Sequence, residues 1–132
     1  MRAFLNQFEL PPMMQIKFEA FMFRLADQMI EGYNGGVWKT THLGGSVIVK
    51  IPTDAKTVTL TSPVSGTTAE LDTYTASVIF SFLGACWFWE SFVESMSDTA
   101  FDAFSNYRYG VKNSVFIDNS KVNDQAFYNF TD

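Results

Sequence analysis

Residues 32–45 read Gly32-Tyr33-Asn34-Gly35-Gly36-Val37-Trp38-Lys39-Thr40-Thr41-His42-Leu43-Gly44-Gly45. This stretch decides the fold because it turns a helix into a sheet. Gly32 ends an apolar-periodic helix, since glycine takes the left-handed conformation that closes a helix without steric cost. Asn34-Gly35-Gly36 supplies further positions tolerant of positive φ. Val37-Trp38 then launches a strand, which Gly44-Gly45 turns back on itself.

Upstream of this junction, Pro11-Pro12 punctuates the chain. Phe18, Phe21, Met22, Leu25 and Met29 then recur at the spacing of one helical face, predicting a helix from about 13 to 31. Downstream, strands are predicted over 37–43, 46–51 and 57–62, with a fourth over 67–71. Val47, Ile48, Val49, Val58, Thr59 and Thr61 are β-branched, and short turn signals separate the runs, as in an antiparallel meander. Such a sheet needs a cover. The segment from Thr73 to Met96 supplies it, opened by Asp72, whose carboxylate suits a helix N-cap. Its apolar residues lie on most sides, which places it at the centre of the core. A break at Ser97-Asp98 starts another helix through about Tyr107. A last turn begins at Asn123 and carries Phe127 and Phe130. The expected fold is α+β: one compact domain over 1–132, with an antiparallel β-meander of three to four strands packed against a central apolar helix and flanking helices.

The composition agrees with a packed core. Of 132 residues, 47% are hydrophobic and 14 are Phe, so the chain carries enough apolar surface to fold without metal or disulfide staples. Nine Lys and Arg against 14 Asp and Glu give a net charge of −5, which disfavours attraction to nucleic-acid phosphates or anionic lipid. No direct nucleic-acid binding is expected. The N-terminal residues hold no uninterrupted apolar run of signal-peptide length, and Cys86 is the single cysteine. Both features suit a reducing, cytoplasmic setting. Residues 73–89 lack any charge, but Ser77, Ser81 and Gly84 dilute their hydrophobicity and neither flank has a basic anchor. A core helix is therefore expected, and no membrane span.

The chemistry is mostly negative. With His42 the only histidine and Cys86 the only cysteine, one chain cannot assemble a zinc cluster of the usual spacing. A nucleophilic pair of these two fits poorly, because Cys86 sits in a core helix and His42 in a strand beside threonines. The glycines match neither a P-loop nor a dinucleotide fingerprint, and Ser65-Gly66 lacks the pattern of a nucleophile elbow. No catalytic residue, cofactor or metal is expected.

Two sets of residues are candidates for partner binding. Tyr33, Asn34 and Trp38 combine flat aromatic side chains with adaptable backbone, as recognition surfaces do. Glu90, Glu94, Asp98 and Asp102 recur every four residues, and from 57 to 107 the chain has no Lys or Arg. On a continuous helix such charges rise by about 6 Å per step, whereas duplex DNA presents one per roughly 1.7 Å. An acidic docking patch or a solvated face describes the row better than DNA mimicry.

Tyr33-Asn34-Gly35-Gly36-Val37-Trp38, followed by Leu43-Gly44-Gly45 and Pro52, resembles the signature of the ArdB/KlcA antirestriction family. There a Tyr-x-Gly-Gly-x-Trp segment runs into a Leu-x-x-Gly-Gly strand pair that ends near Pro. The preceding helix and the Glu70-Leu71-Asp72 lead into an apolar helix follow the family's order. Val37, Thr40 and Thr41 stand where the family usually has aromatic residues. The resemblance implies a non-enzymatic, cofactor-free anti-defence protein of a phage, plasmid or prophage. Such a protein relieves type I restriction in the host cytoplasm by binding a restriction or other defence protein complex. The alternatives are a paralogue acting on another system, such as a CRISPR effector, and an acidic DNA-mimic inhibitor.

Overall fold

The computed structural model describes residues 1–117 and 121–132. Among the described residues, five helices and four strands follow one another as α1 (Arg2–Asn6), α2 (Pro12–Met29), β1 (Lys39–Leu43), β2 (Ser46–Lys50), β3 (Thr57–Thr61), β4 (Thr68–Asp72), α3 (Thr73–Phe92), α4 (Asp98–Ile117) and α5 (Asp124–Thr131). A 3₁₀ turn, Val93–Ser95, follows α3. The α+β architecture expected from the sequence is present, with α3 at its centre.

Helix α3 starts where expected, because Asp72 accepts the Thr75 amide at 3.0 Å and satisfies a first-turn donor. From Thr75 to Ala85 every residue is buried, so about three turns are enclosed on all sides. The segment Thr73–Ser95 is long and apolar enough to cross a membrane; here it is mostly buried, as the core helix of the domain. Two residue pairs set its packing on α2. Phe18 stacks on Phe88 at 4.4 Å, and the Met22 thioether occupies the space where a Cβ on Gly84 would lie. One helix advances by four residues as the other retreats by four, so α2 and α3 run antiparallel.

Strand pairing departs from a single meander. β1 pairs with β2 from Lys39↔Lys50 to Leu43↔Ser46, and β3 with β4 from Thr57↔Asp72 to Thr61↔Thr68, but β2 and β3 belong to separate two-stranded sheets. The outer edge of β2 is already occupied. Val47 N donates to Gln7 Oε1 at 3.0 Å while Gln7 Nε2 donates to Val47 O at 2.8 Å, so one side-chain amide stands in for a strand. Val49 N donates to Ser81 Oγ at 2.9 Å, and Ile51 N to Ser77 Oγ at 3.1 Å. β3 in turn meets the chain just after α2, where Ile30 bridges Leu60 and Glu31 N donates to Thr59 O at 3.0 Å.

The flanking helices close the core. The short α1, which the sequence pattern does not announce, brings Phe4 and then Phe8 into an aromatic cluster, with Phe8 stacked on Phe104 at 4.3 Å. Ser97 caps α4 through the Ala100 amide. α4 continues past the expected end at Tyr107 to Ile117, because Val111 and Val115 extend its buried face. Asn123 caps α5 through the Ala126 amide, and its own N–H donates to Thr75 Oγ1 at 2.9 Å, which ties α5 to the first turn of α3.

Replacing Ser81 by Ala leaves the Val49 amide buried without its acceptor, with an expected loss of about 1–3 kcal/mol of unfolding free energy. Ser91→Ala on the exposed side of the same helix carries the same gain in helix propensity and should shift stability by under about 0.5 kcal/mol. Urea midpoints compare the two, and an S81A protein as stable as S91A would remove the edge-capping role from Ser81. Gly84→Ala places a Cβ where the Met22 thioether lies. That thioether is the flexible end of its side chain and alanine gains about 1 kcal/mol of helix propensity over glycine, so the net change should stay within about 1 kcal/mol, measured in the same way.

Candidate functional site

The junction that decides the fold is held together by its own residues. Trp38 Nε1 donates to the Tyr33 hydroxyl at 3.1 Å, and the Trp38 ring stacks on Phe80 of α3 at 5.4 Å. Gly36 adopts φ +127°, and a Cβ there would meet Pro52 Cβ at 2.9 Å. Tyr33, Gly36, Trp38 and Pro52 thus form a clasp that fixes β1 and β2 to the core. Trp38 is only 8% exposed, which corrects its candidacy as a surface contact: the indole is spent on Phe80 and Tyr33. Tyr33 is half-buried and orients Trp38, whereas Asn34 is exposed. Of the three, Asn34 is the one free to meet a partner.

Glu90, Glu94, Asp98 and Asp102 are all exposed. Glu90 lies on α3, Glu94 in the 3₁₀ turn, and Asp98 and Asp102 in the first turns of α4. None forms an ion pair among the described residues. The helix break expected near Ser97 is real: the chain leaves α-helical geometry after Phe92, makes the 3₁₀ turn and re-enters a helix at Asp98. The row therefore turns a corner instead of following one helix face. Phe101, 43% exposed, sits between Asp98 and Asp102 in sequence with its ring against Trp89 at 5.2 Å. The corner is acidic with an aromatic component.

A cavity of about 400 Å³ opens between the C-terminal half of α3 and helices α4 and α5. Phe82, Leu83, Trp87 and Val93 give it apolar walls, while Cys86, Glu90, Arg108 and Lys112 bring polar groups to its lining. The helix expected from the sequence ends near Tyr107, which leaves Arg108 and Lys112 outside any predicted element. The available signal was the i, i+4 spacing of Val111 and Val115, which carries the helix onward with Arg108 and Lys112 on it.

Burial pushes the Cys86 thiol up from 9.0 to about 11; Arg108 and Lys112 pull it down, and Glu90 adds to the rise. A thiol so placed is protonated at neutral pH, the reverse of an activated nucleophile. His42 is exposed on β1. Burial likewise holds the Tyr107 phenol well above its ordinary value, with Cys86 adding to the effect, and its hydroxyl has no hydrogen-bond partner among the described residues. Among the described residues, no group of three or more His, Cys, Asp or Glu side chains could hold a metal ion.

The raised Cys86 pKa fixes the sign of an alkaline effect. An unfolded chain ionises this thiol near 9.0, while the folded chain retains the proton to about 11. The unfolded state then binds fewer protons between those values, so the contribution is intact below pH 9 and is lost as pH rises through that window. Urea midpoints at pH 8 and pH 10.5 should show a fall of about 1–2 kcal/mol in the wild type that is reduced in Cys86→Ala. Equal pH dependence in both proteins would remove Cys86 as its source.

No protein-family model matches the chain, and no curated protein matches it.

Proposed function

We propose that this protein is a non-enzymatic anti-defence factor of a mobile genetic element, relieving type I restriction in the host cytoplasm by binding a component of the restriction complex. The observation that carries this reading is the acidic corner. Four exposed carboxylates, at Glu90, Glu94, Asp98 and Asp102, remain unpaired by any cation among the described residues. Unpaired charge beside an exposed aromatic ring suits a basic, partly apolar protein surface, because complementary charge speeds encounter and fixes orientation. The short ArdB/KlcA-like pattern over residues 33–52 supports the same reading.

Protein interference suits the corner better than imitation of DNA. Successive acids are four residues apart, about 6 Å per step where the chain is helical, and the row bends at the 3₁₀ turn. A duplex is about four times denser in charge and straight over this length. The expected contact is therefore local and protein-specific, with Asn34 as a separate, weaker point of attachment.

The test plates unmodified phage on a host that carries a type I restriction system, with and without the protein. Plating efficiency should rise when the protein is expressed. It should fall back toward the restricted level for Glu90→Gln, Glu94→Gln, Asp98→Asn and Asp102→Asn combined, changes at exposed positions that leave the core untouched. Asn34→Ala should reduce the effect only in part. Unchanged plating at good wild-type expression would overturn the proposal, and full activity of the four-site variant would overturn the assignment of the contact.

A further inference from the structure

We infer that the cavity between α3, α4 and α5 is a binding site for a small amphiphilic carboxylate, an aliphatic or aromatic acid whose apolar body lies on α3 and whose carboxylate meets Arg108 and Lys112. The inference does not rest on the anti-defence reading.

Three observations point to this ligand class. The first is shape and lining: about 400 Å³ with walls from Phe82, Leu83, Trp87 and Val93, within the size range of small-molecule sites and mostly apolar as such sites are. The second is the placement of the cations. Arg108 and Lys112 are one turn apart on α4, and neither makes an ion pair or hydrogen bond among the described residues. They are also the first cations in the chain after Lys56. An acidic protein of net charge −5 thus brings two unpaired cations to an apolar hollow with one acid, Glu90, beside them. The third is the field inside the hollow. Both cations act on the Cys86 thiol, so their influence extends to the wall where a ligand would lie.

The same features exclude other ligand classes. A polyphosphate needs more positive charge than two cations offset by Glu90 can supply. A cationic amphiphile would meet Arg108 and Lys112 with like charge. A neutral hydrocarbon would fill the hollow but gain nothing from the guanidinium and the ammonium. A single carboxylate matches the local excess of one positive charge, and the guanidinium can hold it through two parallel hydrogen bonds. Cys86, neutral at physiological pH, is one more weakly polar part of the wall.

Trp87 and Trp89 both line the cavity, so intrinsic fluorescence reports its occupancy. The purified protein is titrated with decanoate below its micelle concentration, and in parallel with decan-1-ol and with decyltrimethylammonium; calorimetry gives the stoichiometry. Decanoate should saturate at one per chain, the alcohol should bind at least about tenfold more weakly, and the cation should not bind. Arg108→Gln with Lys112→Gln should weaken decanoate by about tenfold or more, while Glu90→Gln should tighten it several-fold. Val93→Trp, which fills the hollow, should abolish binding without touching either cation, and circular dichroism confirms that each variant is folded. Absence of saturable decanoate binding, equal affinity for acid and alcohol, or unaltered affinity in the folded Arg108/Lys112 variant would each overturn the proposal. No defence component enters the assay, so its outcome is separate from the plating result.

Discussion

Three backbone amides along the outer edge of β2 and the residue that follows it, those of Val47, Val49 and Ile51, donate to side chains and not to a neighbouring strand. A strand edge must be paired, covered or solvated, because a buried unpaired N–H forfeits the free energy of a hydrogen bond and an open one invites aggregation. Gln7, Ser81 and Ser77 cover this edge. The division of the strands into two hairpins, the seating of α3 against β2 and the return of the N-terminal segment over the first hairpin all depend on that substitution of side chains for a strand. With the edge of β2 occupied and β3 bridged to the end of α2, a continuous four-stranded sheet has no free edge along which to form.

The same constraint explains an otherwise puzzling composition in α3. A helix buried on all sides needs no polar residue for solubility, yet Thr75, Ser77 and Ser81 lie within its buried stretch. Each has a partner: Thr75 Oγ1 accepts the Asn123 amide, Ser81 accepts the Val49 amide of β2, Ser77 accepts the Ile51 amide just beyond it, and Ser77 also donates to Thr73 O. In hydrocarbon such hydroxyls bond within their own helix or to a neighbouring helix. Here they knit the helix to a strand and to α5, which is why a segment with the length and hydropathy of a membrane span serves as the core of a folded domain. Gly84 has the complementary role, leaving room for Met22 so that α2 can approach closely.

Local chemistry was legible in the sequence and distant pairing was not. Asp72, Ser97 and Asn123 are readable as caps because a capping side chain reaches only two or three residues along its own chain. The helix over α2 is readable from its period, and the strands from their β-branched residues and turns. Helix α1 escapes because its stability lies in Phe4 and Phe8 meeting Phe104 and Tyr107, contacts that no local window contains. The split sheet escapes for the same reason, since nothing in Gln7 or Ser81 announces that it will face an amide some 30 to 40 residues away. Of the candidate contacts, the acids are correctly read as exposed, whereas Trp38 is misread: an aromatic beside glycines has the composition of a recognition loop whether its ring faces water or Phe80.

That misreading separates two kinds of signature. Tyr33, Gly36, Trp38 and Pro52 belong together because they touch: a hydrogen bond joins the Trp38 indole to the Tyr33 hydroxyl, and glycine at positive φ lets proline close on the backbone. A pattern with such a mechanical cause travels with the clasp it builds, and so it speaks for fold before it speaks for partner. Function has to be sought where the fold leaves chemistry unspent. Two places meet that condition: the acidic corner from Glu90 to Asp102, and the cavity where Arg108 and Lys112 face apolar walls. Glu90 belongs to both, on the rim between a surface suited to a protein and a hollow suited to a small acid. Occupation of the hollow by a single carboxylate would offset one of the two positive charges that share its lining with Glu90 and strengthen the negative field at the end of the row. The carboxylates are screened by about a Debye length of 8 Å at physiological salt, so any such influence falls first on Glu90 and fades toward Asp102.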